Sequence, residues 1–219
     1  MIMGKVYFIR HGEGAGNLDS SLDEDTSPLT PRGSAQAHRA GLRCATIAFD
    51  EIVSSTMQRA QQTAQAIEDH TGKPLRLSDL FRERRRPCEE VGVSRDHPSA
   101  CKARETISEN FSVPGFRYSN EENFNDLKER TRQALAYLEE CSGNTVVVSH
   151  DIFIRVLAAY ATFGESLTAQ ECASFMDKFR MEHTGFSIMR RSALGEDPSQ
   201  NPWHLEKWND RTHLDIEQP

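Results

Sequence analysis

Residues 145–149 read Thr-Val-Val-Val-Ser, an apolar run with no alternation. A strand with one wet face alternates polar and apolar side chains. An unbroken run therefore predicts a strand buried on both faces, in the middle of a parallel sheet with helices on either side. The surrounding pattern agrees. Residues 5–9 and 50–54 read as strands, and 74–77 as a short third one. Thr30 is placed to cap a helix that has Pro31 at its first position and runs to about residue 43. Met57, Ala60, Ala64 and Ile67 share one face of the next helix, which Gly72 is placed to end. Further helices are predicted over 126–141, with Leu127, Leu135 and Leu138 facing inward, and over 152–163. Thr168 and Glu171 form a capping-box pattern for another. Residues 186–190 and 203–208 read as late strands, joined by a loop with Gly195, Pro198 and Pro202. The polar tail after Asn209 is expected to be loose. The alternation predicts an α/β fold, a layered domain around a mainly parallel sheet. It spans residues 1–219, with an irregular, proline-bearing insertion at about 84–125 over one end of the sheet. Within it, 98–111 is a candidate helix.

Composition narrows the function classes. The chain has 219 residues, enough for one sizeable core, and carries a formal net charge of -7. That balance disfavours a nucleic-acid binder, which needs a basic face. The longest apolar stretch, 152–163, contains Arg155 and is too short to span a bilayer. The first ten residues do not form a signal peptide, so a cytoplasmic setting without membrane attachment is expected. Five scattered cysteines with no CxxC are expected to be reduced thiols, and no Cys/His spacing suits zinc.

In sheets of this kind ligands bind beyond the carboxyl ends of the strands. Arg10 and His11 end the first strand, and Arg59 opens the helix after the second. Glu83 follows the third, and His150 ends the Val-rich strand. The set suits phosphoryl transfer: a neutral imidazole attacks phosphorus, guanidinium forks bind phosphate oxygens, and a carboxyl group moves the proton. Arg59 sits in a helix first turn, where the dipole disfavours a cation, and a bound anion would remove that conflict.

These residues carry a resemblance. Arg10-His11-Gly12-Glu13 with Asn17, then Pro28-Leu29-Thr30-Pro31-Arg32-Gly33, then the stretch from Ser54 to Ala64 around Arg59, then Val147-Val148-Ser149-His150 resemble, in order, the motifs of the histidine phosphatase superfamily. That superfamily also contains the cofactor-dependent phosphoglycerate mutases. The resemblance covers nearly the whole chain. It implies a three-layer α/β/α sandwich with a lid-like segment over the strand C-termini. It also implies a metal-independent phosphatase with no cofactor, acting through a phosphohistidine on His11. Arg10, Arg59 and His150 would bind the phosphoryl oxygens, Asn17 would add a hydrogen bond, and Gly12 would keep the backbone close to the phosphate. Glu83 would give and take the proton; Glu89 and Glu90 are nearby rivals. Arg82 and Arg86, in the Arg82–Arg86 cluster, are either pocket rim or solvated face. Asp151 departs from the family pattern, which has Gly there, and is tolerable if it points away or pairs with Arg155.

The chemistry sets two demands that conflict at ordinary pKa values of about 6.5 and 4.3: neutral His11 and protonated Glu83. A raised Glu83 pKa and highest activity at mildly acidic pH are therefore expected, with Arg10 and Arg59 keeping His11 unprotonated. Alternative readings are a mutase-type phosphotransferase, a protein phosphohistidine phosphatase and a non-catalytic phospho-ligand binder. The substrate would be a phosphorylated small molecule or a phosphoprotein. A nicotinamide-binding reading of Gly12, Gly14 and Gly16 fails because Asn17 stands where the third glycine belongs. His183, near a strand start, is a further candidate; the remaining histidines default to structural or solvated roles. The strand at 203–208 is a candidate sheet edge that could pair with a second copy.

Overall fold

The computed structural model describes residues 3–19, 25–191 and 202–215. Six strands form one sheet: β1 Met3–Arg10, β2 Glu51–Ser54, β3 Leu75–Leu77, β4 Thr145–Ser149, β5 Phe186–Arg191 and β6 Trp203–Asp210, in the order β3-β2-β4-β1-β5-β6. The four strands from β3 to β1 are mutually parallel. β5 pairs antiparallel with β1 and β6 antiparallel with β5, so the sheet is mixed, with a parallel half that carries the site and an antiparallel extension.

Val-rich β4 is central and every residue in it is buried. Val147 packs with Val6, Phe8, Val53, Phe153 and Leu157 on one face. Val146 and Val148 pack with Ile9, Ile52, Ala60, Ala64 and Ile67 on the other. The run does not alternate because both its faces are core. Helices α2 (Pro31–Cys44) and α3 (Gln58–Thr71) cover one face. Helices α5 (Phe124–Glu140), α6 (Asp151–Phe163) and α7 (Ala169–Lys178) cover the other, completing the three layers.

The helix boundaries follow local chemistry. Thr30 accepts a hydrogen bond from the Gly33 amide at 2.9 Å to start α2. Gly72 ends α3 in the left-handed region, at φ 63°. Helix α5 starts at Phe124, two residues before the predicted start, because Asn123 and Asp126 cap each other's amides. A four-residue helix, α1 (Ala15–Leu18), follows the first strand.

Residues 84–125 contain α4 (Pro98–Asn110) and lie over the C-terminal ends of the parallel strands. Glu122 pins this cap: it binds Arg130 of α5 through both carboxylate oxygens, at 2.7 and 2.8 Å, and accepts from the Arg85 amide. Residues 210–215 correct the sequence reading of the tail, whose last four residues lie outside the described residues. β6 runs on to Asp210, which pairs with Arg43 at 2.6 Å, and His213 is buried with its ring 5.1 Å from that of Phe186. Polar residues here form a tether, not a loose end. The expected loop residues Gly195 and Pro198 lie outside the described residues. No helix among the described residues is long and apolar enough to cross a membrane.

Candidate active site

The register of the parallel strands sets the site. Arg10 lies opposite Ser149, and Ser54 opposite Val148, so β1, β2 and β4 end at one level. Each chain continues one residue further along the ladder: the His11 amide donates to Ser149 and the Ser55 amide to Val148, both at 3.0 Å. His11 and His150 thus leave adjacent strands side by side, with ring centres 4.9 Å apart. Arg59 reaches between them from the first turn of α3, and all three side chains are buried.

The hydrogen bonds fix which nitrogens carry protons. Nδ1 of His11 lies 2.6 Å from the Gly12 carbonyl, which only accepts, so Nδ1 donates. Nε2 of His11 is left with its lone pair and accepts from Nε of Arg59 at 3.0 Å. An Nη of Arg59 donates to Nδ1 of His150 at 3.1 Å, so Nε2 of His150 donates to Ser55 Oγ at 2.8 Å. The cation that sits against the α3 dipole is offset by two imidazole lone pairs. Burial, and then the Arg59 charge, hold both histidines well below the usual imidazole range. The expectation of a neutral His11 is met, with burial as its main cause.

Glu83 is held by backbone donors. Its carboxylate accepts from the amides of Arg84, Phe153 and Ile152 at 2.8, 3.1 and 3.2 Å. The last two belong to the first turn of α6, whose N-cap residue, His150, makes no side-chain cap bond. Glu83 therefore caps this helix from a distant segment. These three donors fix the carboxyl group at the cavity wall. Glu83 lines the cavity beside His11 together with Arg10 and Arg59. Glu90 lines it too and is pushed above the usual carboxylate range by burial. Glu89 turns instead to Ser119 Oγ, at 2.8 Å.

Asp151 pairs with Arg155 at 2.8 Å and accepts from the Met181 amide at 3.3 Å. Its charge is answered in the way the sequence allowed. The Met181 carbonyl in turn accepts from Arg10 at 2.6 Å. Nε of Arg10 and Nε2 of His183 are buried with no hydrogen-bond partner among the described residues. The His183 ring lies 5.7 Å from that of His11, making it a third imidazole of the cluster. Burial, then Arg10, lowers its pKa to about 3. The Arg10-His11 motif carries no mark of it; only the turn before β5 brings it in.

Asn17 lines the cavity, and its Oδ1 accepts from the Gly14 amide at 2.9 Å. Arg86 lines the cavity as well. The Arg82 guanidinium is committed to Asp25 and to Thr56 Oγ1. Gly12 donates its amide to Thr63 Oγ1 at 3.1 Å and accepts at its carbonyl from His11. It is glycine because a Cβ would strike the Gly33 carbonyl, and Gly33 is glycine because a Cβ would strike the Glu13 backbone.

Two buried histidines bridged by one arginine at the end of a parallel sheet suit phosphoryl chemistry, and comparison with known proteins decides the family. The profile of the histidine phosphatase superfamily (branch 1) matches residues 6–211. The chain belongs to that superfamily. Its class of chemistry is therefore phosphoryl transfer. The probable phosphoglycerate mutase GpmB of Erwinia tasmaniensis is 26% identical over 221 residues, covering 98% of this chain and 94% of the relative. The uncharacterized phosphatase PhoE of Bacillus subtilis is 27% identical over 166 residues, covering 74% and 80%. Among solved structures, Bacillus stearothermophilus YhfR superposes with a TM-score of 0.77 at 22% identity, covering 96% of this chain and 99% of that one. The mycobacterial glucosyl-3-phosphoglycerate phosphatase superposes with a TM-score of 0.76 at 21% identity, covering 96% and 100%. These likenesses establish the α/β histidine phosphatase fold.

Proposed function

We propose that the chain is a metal-independent phosphomonoesterase acting through a phosphohistidine on His11. The observation that carries this reading is the unprotonated Nε2 of His11, fixed by the Nδ1 bond to Gly12 and held by a hydrogen bond from Arg59. Nε2 attacks phosphorus, the bond to the ester oxygen breaks, and that oxygen takes a proton from Glu83. Water then attacks the phosphohistidine and returns a proton to Glu83, so the sum is ester plus water giving alcohol plus phosphate. Arg10, Arg59 and His183 supply donors to the phosphoryl oxygens, with Asn17 at the rim, while His150, whose one N–H is held by Ser55, orients the Arg59 fork. The buried, unpartnered nitrogens of Arg10 and His183 support this assignment. The amides of Arg84, Phe153 and Ile152 hold the Glu83 carboxyl group at the cavity wall, and the proton it delivers is taken up from solvent. Five unpaired thiols, Cys44 and Cys172 buried among them, support a reducing, cytoplasmic setting.

Hydrolysis of p-nitrophenyl phosphate from about pH 5 to 9 with EDTA present tests the reading. Turnover that resists EDTA and disappears in His11→Ala is expected; turnover unaffected by His11→Ala would overturn it. A mutase reading draws support from the GpmB relative. It predicts exchange of phosphate between two positions of one substrate without release of inorganic phosphate.

A further inference from the structure

Among the described residues, Thr184 and Asn209 alone are non-glycines with positive φ, at 54° and 49°. Asparagine tolerates that region; a β-branched side chain crowds its own backbone there. The two residues belong to one cluster, on the segment that carries His183. Thr184 is the third residue of the turn Glu182-His183-Thr184-Gly185, closed by the Gly185 amide donating to the Glu182 carbonyl at 3.0 Å. Turns with positive φ at their third residue ordinarily place Gly or Asn there.

Contacts from three directions hold this conformation. The Thr184 amide donates to the Arg10 carbonyl at 2.9 Å. The Glu182 amide donates to Asn209 Oδ1 at 2.9 Å. The buried Thr184 hydroxyl lies 3.2 Å from Nε2 of His213. Arg43 meets Nδ1 of the same ring at 3.1 Å and can only donate, so Nε2 of His213 carries the proton and donates to Thr184 Oγ1. Arg43 is anchored in turn by Asp210. Strain that its surroundings overdetermine is characteristic of functional sites. What this turn presents is the His183 imidazole, with its buried, unpartnered Nε2 and its ring 5.7 Å from that of His11.

We propose that Thr184 and His213 are positioning residues: His213, reaching in from the C-terminal segment, holds the strained turn at Thr184, and the turn aims His183 at the phosphoryl site beside His11. Neither residue touches the substrate. Relaxing the turn lets the imidazole swing away, and a donor misplaced by an ångström loses most of its effect. The proposal rests on the phosphatase reading only for what His183 meets.

The test measures kcat/KM for p-nitrophenyl phosphate and calorimetric binding of orthovanadate, each well below the Tm of every variant. Thr184→Gly removes the strain and the hydroxyl, and His213→Leu removes the donor while filling the space. Each should lower both quantities by about tenfold. His213→Gln, which keeps an N–H donor near the Nε2 position, should stay within about threefold of the wild type, a rescue that a role in packing alone would not give. In a His183→Ala background, Thr184→Gly should cost less than about twofold more, because the turn then has nothing to aim. Unchanged values in Thr184→Gly and His213→Leu, or losses that multiply in the His183→Ala background, would overturn the proposal. Vanadate binding needs no turnover. If it follows the predicted pattern in a protein that hydrolyses no ester, the phosphatase reading fails and the positioning role stands; a wild type that binds no vanadate would overturn both.

Discussion

Nε of Arg59 donates to Nε2 of His11 at 3.0 Å, so the proposed nucleophilic atom is held by the same guanidinium that would receive the phosphoryl oxygens. The other end of that fork holds His150. Replacing Arg59 by Gln should lower kcat for p-nitrophenyl phosphate by about 10²–10³-fold, the usual cost of a lost oxyanion donor. It also removes the leading charge that holds the His11 pKa down. The variant should therefore gain an acid-side loss of activity closer to neutral pH than the wild type shows. Full pH profiles of both proteins check the pair of effects together.

In the wild type His11 stays neutral well below the usual imidazole range. Activity should not decline with an imidazole-like transition as pH falls from about 6.5 to 5. The proton-donor role proposed for a carboxyl group calls for an optimum at mildly acidic pH. A kcat/KM profile with an acid-side transition near 6.5 would contradict the burial argument.

Asp151 and Arg155 form a pair whose halves have different consequences. Arg155→Met leaves the Asp151 carboxylate uncompensated on the cavity wall, where it repels an anionic substrate. KM should rise severalfold with a smaller change in kcat. Adding Asp151→Asn in the same chain should restore most of the loss. A double-mutant cycle on kcat and KM reads this coupling directly.

The Gly12–Gly33 contact is backbone against backbone, so neither side can yield cheaply. Gly33→Ala should cost stability at the upper end of the usual overpacking range of about 1–3 kcal/mol. For a chain of this size that corresponds to a fall of roughly 6–12 °C in Tm. Thermal unfolding by circular dichroism measures it.

His213 gives the tail a pH dependence. Burial, then Arg43, lowers its pKa to about 4 in the folded chain. Below about pH 6.5 the unfolded chain takes up a proton that the folded chain refuses. Stability should therefore fall as pH drops from about 6.5 to 4, by up to about 1.4 kcal/mol per unit from this residue. His213→Gln should flatten, without abolishing, the slope of Tm against pH, since His11 and His150 titrate in the same sense.

The parallel half of the fold was legible because its signals are local. A Val-rich run without alternation, a Thr-Pro helix start and a Gly helix stop each carry their own physics, and the strand ends then place His11, Arg59 and His150 by topology alone. The antiparallel addition of β5 and β6 was not legible, because nothing in residues 186–190 or 203–208 encodes the direction of pairing. Glu83 was found by its place after the third strand. Its three amide donors were not, since two of them come from α6, about seventy residues later. The partners of Arg82 were not legible, because an arginine cluster in a sequence does not say which members meet carboxylates such as Asp25. His183 reaches the site only through the turn that joins the 180–184 segment to Arg10, a tertiary contact with no motif to announce it.

The central claim is a covalent intermediate on one nitrogen. The most direct measurement is rapid acid-free quenching during turnover of a ³²P-labelled phosphomonoester, followed by mass spectrometry of the phosphorylated peptide. The account predicts a base-stable, acid-labile phosphate on His11, absent from His11→Ala. A wild-type enzyme that turns over substrate while carrying no phosphate on His11, or carrying it on another residue, would contradict it.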